Sequence, residues 1–288
     1  MKNPVIMHIN YCEQGQTIEE TCQKAVRWGF DGVEFRRRRS GAQETPEQYL
    51  DVIAKAAKAA GLKHVLFGAP GPDLTQGDEA CRRNEVESYI AFYRMAKQRF
   101  PGLTVANAMS GTLLNPDKSL PYSDYTRHGS FIATEDQWAW AIEGWKAVGA
   151  AGVELGVRFA FETHMCYIHD VPASVRRLCD AIGSPAVGAN LDYGNIANFP
   201  TPPTLAQSID LLKDRLYYIH LKNSVILAPG LVYRCPLADG QINNREFLRL
   251  LRAINYQGPL CVEAPRGGDR EWFAKQDLAY IRSVMADL

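Results

Sequence analysis

The sequence predicts one α/β domain across residues 1–288, a (β/α)8 barrel, on three observations. Eight short apolar runs read as strands, segments with helical spacing and end caps separate them, and the first run is not followed by a GxGxxG turn. An open dinucleotide-binding sheet would carry that turn at that place, so eight βα repeats point to a closed barrel.

The runs follow in order. VIMHIN (5–10) leads into TIEETCQKAVRWGF, where Thr17 ahead of Glu19 and Glu20 marks a helix start. GVEFRR (32–37) leads into TPEQYLDVIAKAAKAAG, with Pro46 just inside the helix and Gly61 just past it. KHVLFGA (63–69) and LTVANAM (103–109) are the third and fourth strands, and ATEDQWAWAIEGWKAVG is a helix from Thr134 that ends at Gly149. RFAFETH (158–164), AVGANLD (186–192), RLYYIHL (215–221) and PLCVEAP (259–265) complete the set. Most of these runs are too apolar to leave one face in water, which implies a parallel sheet covered by helices. Residues 110–133 and 222–241 are longer than packing requires. Both follow strands, so both fall on the face where barrels build active sites and where a lid would be useful.

Composition narrows the function. Hydrophobic residues at 46% and charged residues at 22% are ordinary globular values, and 32 Lys plus Arg balance 32 Asp plus Glu. No positive field draws nucleic acid or an anionic membrane, so a small-molecule substrate is expected. No run reaches the ~20 apolar residues of a membrane span, and MKNPVIMHIN lacks the pattern of a signal peptide, which makes the cytoplasm the expected compartment. Seven scattered cysteines without a CxxC pair argue against a disulfide framework and a thiolate zinc site.

The last four strands end on FAFE, GANLD, YYIH and LCVE, so Glu162, Asp192, His220 and Glu263 arrive at one mouth at intervals of 30, 28 and 43 residues, about one βα repeat each with the last lengthened by the long segment after the seventh strand. Three carboxylates around one imidazole repel unless a cation sits among them. Three oxygen donors and one nitrogen favour one divalent ion, Mn²⁺ first, with Mg²⁺, Co²⁺ or Zn²⁺ as alternatives.

These motifs, together with FETH (161–164), NLDYGN (190–195), IHLKN (219–223), PLADG (236–240) and GPLCVEAP (258–265), resemble the xylose isomerase-like TIM barrels. That family includes sugar and sugar-phosphate isomerases and epimerases, inosose dehydratases, hydroxypyruvate isomerases and barrel-type apurinic endonucleases. The resemblance implies that Glu162, Asp192, His220 and Glu263 hold the metal. It also implies that Glu162 and Glu263 are catalytic, moving a proton next to a carbonyl of a sugar, sugar phosphate or keto-sugar. Isomerisation or epimerisation is the leading reading, and β-elimination of water from a keto-sugar or keto-inositol is the alternative. One departure matters. Many relatives have D-x-x-H where this chain has DYGN, and Asn195 is a poor metal ligand, which counts with the neutral charge against an endonuclease. A non-catalytic sugar-binding barrel would not need both glutamates.

Further candidates for contact with substrate are Glu34 and Arg36 on one face of the second strand, His164 after the fifth, Asn195, and Lys222 two residues beyond His220. His128 and Arg234 lie in the two long loops and are expected to close over the ligand. His8 ends the first strand facing the mouth or the core. Trp138 and Trp145, seven apart, pack on one helix face against the barrel or against a second subunit, the latter making a homo-oligomer.

Overall fold

The computed structural model describes residues 1–39, 41, 43–228, 231–263 and 266–288. Eight parallel strands form one sheet: β1 (Val5–His8), β2 (Gly32–Arg36), β3 (His64–Gly68), β4 (Val105–Ala108), β5 (Arg158–Glu162), β6 (Val187–Asp192), β7 (Leu216–Leu221) and, after an intervening hairpin of β8 (Ser224–Ala228) and β9 (Leu231–Arg234), β10 (Leu260–Val262). The hydrogen-bonded order is β3-β2-β1-β10-β7-β6-β5-β4, which curls into a nearly closed barrel with β3 and β4 at the seam. The eight expected strands are all present, although Ala264 and Pro265 at the end of the eighth lie outside the described residues.

The surrounding helices are α1 (Ile18–Trp28), α2 (Pro46–Ala60), α3 (Glu79–Arg99), α4 (Glu135–Leu155), α5 (Pro172–Ile182), the single turn α6 (Tyr193–Ile196), α7 (Leu205–Leu212), α8 (Asn244–Ala253) and α9 (Arg270–Asp287). Local chemistry starts and stops them. Thr17, Thr45, Thr134 and Thr204 each close a capping box with the Glu or Gln three residues on. Gly29, Gly61, Gly156 and Gly183 end four helices in the left-handed conformation.

Two expectations need correction. Helix α4 does not stop at Gly149 but runs on to Leu155. A Cβ at Gly149 would lie 2.8 Å from Ser184 and one at Gly152 would lie 2.7 Å from the Val157 carbonyl, so both glycines let the helix press against the barrel. The segment 222–241, read as a long connection without strands of its own, contains two. SVILA and LVYR pair as the antiparallel β8–β9 hairpin, and Pro229 and Gly230 between them lie outside the described residues. Trp145 is fully buried and meets Phe161 edge-on at 4.7 Å, and Trp138 is buried under the Arg177 guanidinium, so the barrel covers both rings. All seven cysteines are unpaired and all but Cys81 are buried.

Candidate metal centre at the barrel mouth

Alternation along the strands sets the site's layers. On the inward face Ile6 is followed by His8, Leu66 by Gly68, Val105 by Asn107, Tyr218 by His220 and then Lys222, and Asn190 by Asp192. Pairing puts Asp192 beside His220 and Glu162 beside Asn190.

One ligand atom each from Glu162, Asp192, His220 and Glu263 lies within 4.8 Å of the others. His220 Nδ1 faces the carboxylates, at 2.8 Å from Glu263, 3.7 Å from Glu162 and 3.9 Å from Asp192. Its Nε2 is 2.9 Å from Glu34 Oε2, which also accepts the Tyr218 hydroxyl at 2.7 Å. This orients the ring, since a carboxylate behind an imidazole fixes which nitrogen is offered to a cation. Glu162 Oε1 accepts from Asn195 Nδ2 at 3.0 Å and Oε2 from Asn107 Nδ2 at 2.7 Å. Glu263 Oε1 accepts from Asn10 at 3.3 Å. Thr163 rivets the ends of β5 and β6 by accepting the Asp192 amide at 2.9 Å.

The Lys222 ammonium lies inside this ring, 2.7 Å from Asp192 Oδ2, 3.2 Å from Glu263 and 3.6 Å from Glu162. Burial alone would raise the Glu162 carboxyl, but Lys222 and His220 outweigh it and hold the group at about 2. Glu263 is likewise held well below the usual range, with Lys222 overriding burial. Burial wins at Asp192, which is pushed up to about 7 with Glu162 and Glu263 adding to the effect against Lys222. Burial works against charge on His220, yet Glu34 and the other acids raise it well above an ordinary imidazole. Asp192 Oδ2 is buried and lies within ion-pair distance of the Lys222 ammonium. Three buried or nearly buried carboxylates and an imidazole, with one ligand atom each within 4.8 Å of the others, are a donor set that fits a hard or borderline divalent ion. A second grouping of Glu34, His220 and Cys261 lies on the inner side of His220. Burial pushes the Cys261 thiol up to about 12, so it stays protonated and this grouping serves as a floor.

The other predicted residues divide. Asn195 is in the ring, but its amide is spent on Glu162, the Thr163 carbonyl and, at 3.3 Å, Lys222. His164 stands at the rim with Nδ1 on the Met165 carbonyl, kept neutral by burial against the pull of Glu162. Glu34 is fully buried below the mouth, where it is bonded to His220 Nε2 and the Tyr218 hydroxyl. Arg36 is bound by both carboxylate oxygens of Glu13. His128 is buried in its own loop, where its two nitrogens hold the Asn115 amide at 3.0 Å and the Pro121 carbonyl at 3.2 Å. Arg234 is exposed at the end of β9. His8 takes the Asn10 amide at 3.1 Å.

Sequence reasoning missed Asn107, Asn190 and His169. Asn190 donates to Asn107 at 3.1 Å, which in turn holds Glu162. His169 accepts the Ser110 amide at 3.1 Å and its other ring nitrogen is 2.6 Å from the Glu162 carbonyl, pinning the start of the loop after β4 to the end of β5. The asparagines had a signal, a polar side chain at an inward position of an apolar run. His169, in a turn, had none.

A family model described as xylose isomerase-like TIM barrel matches residues 22–284. No curated protein matches the sequence. Among solved structures, a xylose isomerase-like TIM barrel protein from Mycobacterium smegmatis in complex with magnesium is similar at TM-score 0.76 and 18% identity, covering 99% of this chain and 97% of that one. D-psicose 3-epimerase with D-tagatose from Clostridium cellulolyticum H10 is similar at TM-score 0.76 and 15% identity, over 98% and 99%. The apo form of 3-keto-D-glucoside 4-epimerase from E. coli is similar at TM-score 0.74 and 17% identity, over 98% and 100%.

Proposed function

The chain belongs to the xylose isomerase-like TIM barrel family, and from that premise we propose that it is a divalent-metal-dependent isomerase or epimerase of a sugar or keto-sugar. The observation that carries this reading is the convergence of Glu162, Asp192, His220 and Glu263 at strand ends within 4.8 Å. A divalent ion held there, Mn²⁺ by donor type, would polarise a substrate carbonyl and acidify the neighbouring C–H. The protein supplies the rest. Glu162 and Glu263 come from non-adjacent strands, so one can take the proton and the other return it to a different position or face. Asn107 and Asn195 fix the Glu162 carboxylate through separate oxygens. His164 and Lys222 are the residues proposed to meet the substrate's oxygens.

A second reading is loss of water from the same substrate class, which begins with the same proton abstraction by Glu162 or Glu263.

The test compares metal content and solvent exchange for wild type and Glu263→Gln. About one Mn, Mg, Co or Zn per wild-type chain and deuterium entering next to a carbonyl of a ketose or keto-inositol in D₂O are expected. In the variant exchange should fall by at least ~10²-fold. A wild-type protein that holds no ion after incubation with these metals, and exchanges no proton, overturns the reading.

A further inference from the structure

Lys222 is more deeply placed than a substrate-binding lysine needs to be. It is 6% exposed, and its ammonium contacts three carboxylates that themselves lie around His220 Nδ1. An ammonium is a compact point charge with three donors, the side-chain group nearest to a metal ion in its demand for several oxygens. The surroundings are shaped for it. Asn195 Oδ1 takes the Nζ at 3.3 Å, and a Cβ at residue 194 would lie 2.5 Å from the Lys222 Cβ, so glycine at that position leaves room for the lysine stem. Yet the match is incomplete, since one ammonium charge faces three carboxylates, closest to Asp192 Oδ2 at 2.7 Å. The lysine offsets part of the ring's charge and leaves the rest.

Resting on the metal reading above, we propose that Lys222 is a built-in counter-ion, which holds the carboxylate ring assembled before metal arrives and must leave Asp192 when a divalent cation enters. A divalent ion and an ammonium cannot share contacts with one carboxylate oxygen without strong repulsion. Each arriving ion therefore exchanges for the ammonium instead of filling a ready site. The consequence is a folded, stable apo protein with a moderated metal affinity, and a cation released beside the substrate only once metal is bound. Affinity is reduced by the fraction of molecules whose ring is free of ammonium: if that fraction is about one tenth, the dissociation constant is about tenfold weaker than the ring alone would give.

The experiment is titration calorimetry of EDTA-stripped protein with MnCl₂, wild type against Lys222→Met, with melting temperatures in EDTA and in Mn²⁺ measured in parallel. Lys222→Met should bind Mn²⁺ about tenfold tighter or more, melt lower than wild type in EDTA, and gain more on adding Mn²⁺. An affinity equal to or weaker than wild type overturns the counter-ion role while leaving the metal reading standing. Absence of binding by both proteins overturns the role and the metal reading together. Should the variant fail to fold, crystals of wild type grown in EDTA and in MnCl₂ give the same decision. Nζ beyond hydrogen-bond distance of Asp192 Oδ2 in the Mn²⁺ form supports exchange, and Nζ still in contact with that oxygen beside the ion overturns it.

Discussion

At its N-terminal end the barrel interior is filled by Ile6, Leu66, Val105, Ala160, Tyr218 and Cys261, all buried and packed on one another. Two residues further along the same strands the interior holds His8, Asn107, Glu162 and His220, and beyond them Lys222. The same strands carry both layers, with Glu263 and Lys222 just past the ends of β10 and β7. The contrast shows how a barrel can afford buried charge. Desolvated carboxylates contribute little net stability and destabilise strongly when one partner is lost. The apolar plug and the shell of helices therefore supply the cohesion, and the mouth is left to hold ionised groups at fixed spacing. Tyr218 joins the two, with its ring in the plug and its hydroxyl on Glu34.

Breaking the plug should give the largest change in stability. Ile6→Ala removes fully buried bulk from the apolar layer and should cost about 2–5 kcal/mol in urea denaturation, with metal stoichiometry in the folded protein unchanged. A variant that loses metal but keeps its stability would show that the two ends are not separable in this way.

Acid should sharpen the contrast from the other side. His169 is fully buried at the mouth, and burial pushes its imidazole down to about 4. The unfolded chain takes up that proton near pH 6.5, which the folded chain refuses until about pH 4, so this contribution to stability is lost as pH falls through that window. The difference amounts to about 3 kcal/mol. Denaturation at pH 7 and at pH 4.5 should show a steeper loss for wild type than for His169→Gln. Parallel slopes would remove His169 from the account.

The smallest effect tests the joint between the layers. Glu34→Gln keeps the shape beneath His220 but removes the charge that holds its Nε2 proton. Metal affinity should fall by about 10–100-fold with little change in the apolar plug, measured by calorimetry beside a denaturation curve. An unchanged affinity would mean that the ring is oriented by packing alone.

Much of this was legible from residues. The strand runs, the threonine caps and the glycine stops lie in local sequence, because alternation and capping act over a few residues. The convergence of Glu162, Asp192, His220 and Glu263 was legible once a parallel barrel was assumed, since in that topology strand ends share one face. The further reach of α4 past Gly149 was not, because whether a glycine ends a helix or lets it approach a neighbour depends on what lies opposite. His128 and Arg234 both sat in long loops and looked alike, yet one is buried in its own loop and the other is exposed on a hairpin.

By itself the sequence determined which residues could ionise, ligate or pack, and on which face of each strand they would stand, because those properties are local. Only the tertiary structure decided depth. It set Glu34 one layer below the mouth, turned both polar ends of Asn195 inward, and brought the Lys222 ammonium among three carboxylates from other strands. Depth decides chemistry here because charges attract, repel and lose water according to distances between strands that no run of neighbouring residues encodes.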